Sequence, residues 1–257
     1  MGHLAEILAQ KQSELASLRA RALPAPPALR NVSLARADNA GRLSLITEIK
    51  RRSPSAGKLS TALSVAERAR AYERAGAAML SVLCDTHFFD GDYQHLVEAR
   101  AATKLPLLCK EFVIDEAQLD AARAFGADAV LLIVRCVSPA RTAELIAAAK
   151  ARDLVPFVEV VTEDELQIAL DGGATLIGVN ARDLDTLVMD TDRASRVLAA
   201  IPPRVVRAHL SGLRRPEDIT RIRQSGADAA LVGEALMRAD DPEPLLQTLA
   251  RASRGED

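Results

Sequence analysis

Short apolar runs recur along the chain, each entered through a glycine. The segments Gly76 to Leu80, Gly126 to Val134, Gly173 to Val179 and Gly226 to Gly233 resemble one another. Each reads as a helix end, a glycine turn and a short buried strand. Their leading glycines lie 50, 47 and 53 residues apart. A strand-plus-helix unit takes roughly 25 to 30 residues, so every interval holds two units. The intervening strands are Leu105 to Cys109, Val155 to Val160 and Pro203 to Leu210, and Leu43 to Lys50 precedes the first repeat. That makes eight.

Between the strands lie helical patterns at Val65 to Arg74, Glu116 to Phe125, Pro139 to Arg152 and Glu163 to Leu170. Asp115, Ser138 and Thr162 stand where helix caps belong. Strict alternation of strands and helices demands a parallel sheet covered by helices, and eight such units close into a barrel. The expected fold is therefore α/β, a (β/α)8 TIM barrel with an extra N-terminal helical segment. One domain spans residues 1–257, with residues 1–42 as the extension. An open doubly wound sheet is the alternative, because sequence does not prove closure. Leu4, Ile7, Leu8, Leu15 and Leu18 are spaced as a helix with charge between them, set off by Pro24, Pro26 and Pro27. This helix is expected to lie across the barrel. The polar tail Arg251 to Asp257 is expected to fray.

Composition agrees with one sizeable core, since 49% of the 257 residues are apolar. A formal charge of -2 and only 3% aromatic residues offer no footprint for nucleic acid or an anionic membrane. Lys50-Arg51-Arg52 is too short to track a polynucleotide. Cys84, Cys109 and Cys136 lie at unrelated spacings in apolar runs, which points to free thiols in a reducing compartment. Met1 to Leu18 carries Glu6, Lys11 and Glu14, unlike a signal peptide, and no run of about 18 apolar residues occurs. A cytoplasmic protein is the expectation.

Candidate chemistry belongs at the carboxyl ends of the strands, which face a barrel's mouth. Strand one ends with Glu48 and Lys50, two apart and so on one face. Strand three ends in Lys110, strand five in Glu159, and strand six in Asn180 followed by Arg182. Taken singly, any of these could be an ion pair capping the core. Together they point to a site, because desolvating charges costs several kcal/mol unless they are paired or used. Strands seven and eight run into Ser211-Gly212 and Gly233-Glu234, the loops in which barrels assemble phosphate sites from backbone N–H groups. Glu234 should point its carboxylate outward there. No metal site is signalled, since His3, His87, His95 and His209 lie far apart, and His87 reads as a surface loop residue. Cys109 should turn away from Lys110 by alternation, as a small hydrophobe rather than a nucleophile. No nucleotide fingerprint occurs.

Glu48-Ile49-Lys50-Arg51-Arg52-Ser53-Pro54-Ser55, Phe88-Phe89-Asp90-Gly91, Lys110 to Asp115, Phe157 to Val160, Gly178 to Leu184, Ser211-Gly212-Leu213 and Val232 to Met237 follow one another in order. In this combination the chain resembles the indole-3-glycerol phosphate synthase family of tryptophan biosynthesis, over almost its whole length. The resemblance implies ring closure of 1-(2-carboxyphenylamino)-1-deoxyribulose 5-phosphate with loss of carbon dioxide and water. It implies Lys110 as general acid, Glu159 as its proton-handling partner, Glu48 as the carboxylate that positions the lysines, and Asn180 as an orienting amide. Lys50, Ser53, Phe89, Phe112, Arg182 and Leu184 fall at substrate-binding positions, and Ser211, Gly212, Gly233 and Glu234 at phosphate-binding ones. The chemistry needs an acid where oxyanion charge develops and an acid–base pair for dehydration, with no metal or organic cofactor. The expected partner is a small sugar phosphate. A monomer is expected, with association to another tryptophan-pathway enzyme left open.

Four positions depart from the family pattern. Leu210 stands where a glutamate usually precedes Ser-Gly. Cys84-Asp85 replaces Thr-Glu, Glu111 replaces the aspartate of Lys-Asp-Phe, and Ala181 replaces the second asparagine of Asn-Asn-Arg. Two further readings therefore stay open: another sugar-phosphate barrel, such as phosphoribosylanthranilate isomerase, or an inactive barrel serving as a binding subunit.

Overall fold

The computed structural model describes residues 2–35, 41–54 and 57–256; Ser55 of the strand-one motif lies outside them. Eight parallel strands close on themselves: β1 (Ser44–Ile49), β2 (Met79–Leu83), β3 (Leu107–Lys110), β4 (Ala129–Ile133), β5 (Val155–Val160), β6 (Leu176–Asn180), β7 (Val206–Leu210) and β8 (Ala229–Val232). Closure is explicit in β1, where Thr47 sits opposite Val232 on one side and Leu80 on the other. The open sheet is thereby excluded. A small hairpin of Arg52–Ser53 with Gly57–Lys58 follows β1 at the mouth.

Alternation sorts each strand onto two faces. Val130 and Leu132 of β4 join the outer core under the helices, while Ala129, Leu131 and Ile133 fill the barrel interior. Cys109 likewise faces outward and Leu108 inward. Continuing the inward parity to the carboxyl ends gives Glu48, Leu83, Lys110, Ile133, Glu159, Asn180, Leu210 and Gly233. All eight line one cavity. The candidate charges are thus the topmost layer of the same stripes that form the interior. One layer below, Gly178 leaves the room that Phe157 and Leu210 occupy, since a Cβ there would come within 2.5 and 2.6 Å of their side chains.

The helices begin where the caps predict. Asp115, Ser138 and Thr162 each accept a backbone N–H of their own first turn, at Ala117, Arg141 and Glu165. Ser64 and Glu67 form a reciprocal capping box at the start of Val65–Arg74. The N-terminal helix, α1 (His3–Ala20), packs on helix Glu116–Ala124 and reaches the mouth, where His3 and Ile7 line the cavity. Its buried stripe is Leu4, Ile7, Lys11 and Leu15, so a lysine occupies a core position.

One expectation fails. Arg251 to Arg254 do not fray but form the last turn of helix Glu243–Arg254, with Ala252 and Ser253 buried. The Ser253 carbonyl accepts the Leu43 N–H at 3.2 Å, which ties this helix to the chain entering β1. Burial of one face outweighs the polar composition there. Among the described residues, no helix is long and apolar enough to cross a membrane.

Candidate active site

A cavity of about 1110 Å³, counting its open mouth, sits at the carboxyl ends of the strands. All fourteen residues singled out from the sequence line it. Glu48, Lys110, Glu159 and Asn180 rise from β1, β3, β5 and β6. Lys50 and Ser53 follow β1, Phe89 and Phe112 come from the loops after β2 and β3, and Arg182 and Leu184 from the loop after β6. Ser211, Gly212, Gly233 and Glu234 close the ring after β7 and β8.

Two ion pairs face each other across this ring. Lys50 Nζ lies 2.5 Å from Glu48 Oε1, and Lys110 Nζ lies 3.6 Å from Glu159 Oε2. Burial by itself would push the Glu48 carboxyl up. Lys50 and Lys110 outweigh that and hold it below the ordinary carboxylate range. Glu48 is therefore a carboxylate at neutral pH, fixed between two ammonium groups. The second pair is looser. At 3.6 Å the Lys110 ammonium is beyond a normal hydrogen bond, and the buried Glu159 Oε2 accepts none. The Glu159 Oε2 acceptor is thereby left free for a bound molecule, with the Lys110 ammonium beside it.

Asn180 joins Glu159 to the turn after β7. Its Nδ2 donates to Glu159 Oε1 at 2.9 Å, while Oδ1 accepts from Ser211 Oγ at 2.8 Å and the Arg182 N–H at 2.9 Å. Ser211 adopts φ 85°, a left-handed conformation that a serine rarely takes, followed by Gly212 at φ 80°. The turn is held by that Asn180 bond and by His209, whose Nε2–H donates to the Ser211 carbonyl at 3.1 Å. Burial pushes the His209 imidazole down to about 4, so it stays neutral there. Leu210 pairs in register with Leu231, which sets the Ser211-Gly212 turn beside Gly233. The Glu234 carboxylate turns toward Arg238 and Arg214, at 3.1 and 3.5 Å.

The profile of the family described as "Indole-3-glycerol phosphate synthase" matches residues 2–249. This chain belongs to that family. An indole-3-glycerol phosphate synthase of an Exiguobacterium species is 40% identical over 253 residues, 98% of each chain. Indole-3-glycerol phosphate synthase 2 of Streptomyces coelicolor is 42% identical, over 96% of this chain and 98% of its own. Among solved structures, a thiamine phosphate pyrophosphorylase from Pyrococcus furiosus superposes with a TM-score of 0.62 at 16% identity, over 84% of this chain and 96% of that one. The last likeness is one of fold.

Within this indole-3-glycerol phosphate synthase family member, sequence reading missed several cavity residues. His3 and Ile7 arrive from α1, Glu111 from beside Lys110, and Arg214 from beyond Ser211-Gly212. Arg214 had a usable signal, a cation three residues past the strand-seven serine; His3 and Ile7 had none. Leu210 projects into the cavity as an apolar wall against the Gly178 layer. Asp85 does not reach the cavity lining but caps helix Thr86–Phe89 from below. Among the described residues, no cluster of three His, Cys, Asp or Glu could hold a metal ion.

Proposed function

We propose that this pocket closes the pyrrole ring of 1-(2-carboxyphenylamino)-1-deoxyribulose 5-phosphate, releasing carbon dioxide and water and forming indole-3-glycerol phosphate. The observation that carries the reading is the Lys110 ammonium set 3.6 Å from the unpartnered Glu159 Oε2, opposite the Glu48–Lys50 pair. Lys110 donates a proton to the ketone oxygen as the ring carbon bearing the carboxylate attacks the carbonyl carbon. The new carbon–carbon bond leaves a cationic ring, and Glu48 with its fixed negative charge stabilises it. Departure of carbon dioxide returns its bonding pair to the ring. The remaining hydroxyl leaves as water when an ammonium protonates it and Glu159 takes the ring proton. Phe89 and Phe112, with ring centroids 5.9 Å apart, form the wall against the substrate's benzene ring. The Ser211-Gly212 and Gly233 turns take the phosphate, with Arg214 at the rim. Lys50 and Ser53 meet the substrate's anionic groups, while Arg182 and Leu184 close the far side.

A small sugar phosphate is thus the partner, and a monomer suffices because every proposed group comes from one chain. Three buried thiols in their free form support work in a reducing cytoplasm. Leu210 removes a carboxylate but leaves Lys110, Glu159 and Glu48 in place, so turnover is expected. Indole formation followed by absorbance should fall by at least about 100-fold in kcat for Lys110→Ala and Glu159→Gln, with modest change in KM. A folded wild-type protein that binds substrate without releasing carbon dioxide refutes the reading in favour of a binding subunit.

A further inference from the structure

The least explained charges in the molecule lie beneath the mouth. Lys11 is a lysine in the apolar stripe of α1 and only 2% exposed. Its Nζ sits 2.6 Å from Asp85 Oδ2 and 3.2 Å from Glu111 Oε1, both carboxylates being buried as well. A third contact at 2.8 Å reaches Glu14 on the same helix, at the edge of solvent. Burying three charges is costly unless their geometry serves something, and a methionine would fill this stripe without the cost.

Each carboxylate does a second job. Asp85 Oδ1 accepts the backbone N–H groups of Phe88 and Phe89, at 2.6 and 3.1 Å. Glu111 Oε1 accepts the N–H of Phe112 at 2.7 Å. One ammonium group therefore holds two acids, and each acid fixes the backbone of one half of the Phe89–Phe112 wall. The two loops are also joined at their roots, where the Cys84 N–H donates to the Lys110 carbonyl at 3.0 Å. Glu111 directly follows Lys110, so the same tether fixes the end of β3.

We propose that Lys11 is a positioning residue, whose buried ammonium group clamps the loops after β2 and β3 and so sets the spacing of the aromatic wall that grips the substrate ring. Lys11 touches no reacting atom; it acts through Asp85 and Glu111. The assignment of the wall to substrate binding rests on the function proposed above.

The clamp has a signature that plain packing lacks. Without the ammonium, Asp85 and Glu111 are two buried like charges, and they separate unless one of them takes up a proton. The groups facing Glu111 are Lys11 from α1, Asp85 and the Cys84 thiol after β2, and the Tyr93 phenol, with Glu14 on the other side of Lys11. Lys11 is the only cation among them. Burial, with Asp85 adding to it against the pull of Lys11, already pushes the Glu111 carboxyl up to about 7. Removing Lys11 lifts that pull, so Asp85 and Glu111 keep a shared proton to a higher pH than in the wild type, and the wall should open only at strongly alkaline pH and be spared at neutral and acid pH.

The full-length Lys11→Met variant should raise KM by about tenfold at about pH 10 with kcat changed less than about threefold, and should approach wild-type KM near about pH 7. The double variant Lys11→Met, Glu111→Gln keeps an oxygen for the Phe112 N–H, removes one repelling charge, and should return KM to within about threefold of wild type. Amide exchange provides a readout independent of turnover. The Phe88, Phe89 and Phe112 N–H groups should exchange at least about tenfold faster in Lys11→Met at alkaline pH. Faster exchange in a protein whose wild type is inactive keeps the clamp and sinks only the proposed reaction. A wild-type KM in Lys11→Met, or a KM defect that does not vary with pH, overturns the clamp. If Lys11→Met does not fold, the double variant is expected to fold, and its failure as well overturns the proposal.

Discussion

Asn180 is the joint between Glu159 and the Ser211-Gly212 turn, and turning its amide into a carboxylate tests that joint. In Asn180→Asp the shape is kept, but the donor that faces Glu159 Oε1 at 2.9 Å becomes an acceptor. Two carboxylate charges about 3 Å apart repel by about 5 kcal/mol at an effective dielectric of about 20. That is enough to carry the second ionisation of the pair from the acidic into the neutral-to-alkaline range. Below that point the pair holds one proton and regains a donor between the two groups. Asn180→Asp should therefore be poorly active at about pH 9 and recover as the pH falls toward about 6.5. Asn180→Ala, by contrast, loses a charge-assisted hydrogen bond worth about 1.5–3 kcal/mol, or roughly 10- to 150-fold in kcat/KM, at every pH. Steady-state kcat/KM against pH for the three proteins decides it. Parallel profiles for the two variants, or wild-type activity of Asn180→Asp at alkaline pH, would refute a hydrogen-bonded Glu159–Asn180 pair.

Gly178→Ala drives a methyl group into Phe157 and Leu210, at 2.5 and 2.6 Å, and should cost about 1–3 kcal/mol, a fall in Tm of roughly 2–6 °C by calorimetry. Adding Leu210→Ala should restore part of it, and an unchanged Tm for the single variant would remove the case for a filled interior layer. Two buried groups set opposite pH trends in stability. Glu111, raised from 4.5 to about 7, binds its proton in the folded state, so its contribution falls as the pH rises through that window. His209, lowered from 6.5 to about 4, resists its proton in the folded state, so its contribution falls as the pH drops through that window. Urea midpoints should therefore lose their decline toward neutral pH in Glu111→Gln and their decline toward acid pH in His209→Gln. Identical curves for a variant and the wild type would clear that residue.

The barrel was legible because its signals are local. Glycine turns, two-residue alternation and capping residues such as Asp115 and Ser138 need only near neighbours to act. The candidate site was legible for a related reason. In a parallel barrel, inward parity runs unbroken from Leu108 to Lys110 and from Phe157 to Glu159, so a polar residue at a strand end marks the mouth. Helix ends were read less well, and the tail at Ala252 and Ser253 was misread, because burial there depends on the chain entering β1.

What the sequence by itself determined is the order of elements, the inward face of each strand and the identity of the polar ring, since periodicity and strand direction are properties of the chain alone. Tertiary structure decided the rest. It alone closed β1 on β8, buried Lys11 against Asp85 and Glu111, and brought His3 and Ile7 to a cavity that strands more than a hundred residues away help to line. The reason is that an ion pair or a cavity wall depends on distance in space, and spacing along α1 carries no record of which loops will lie across from it.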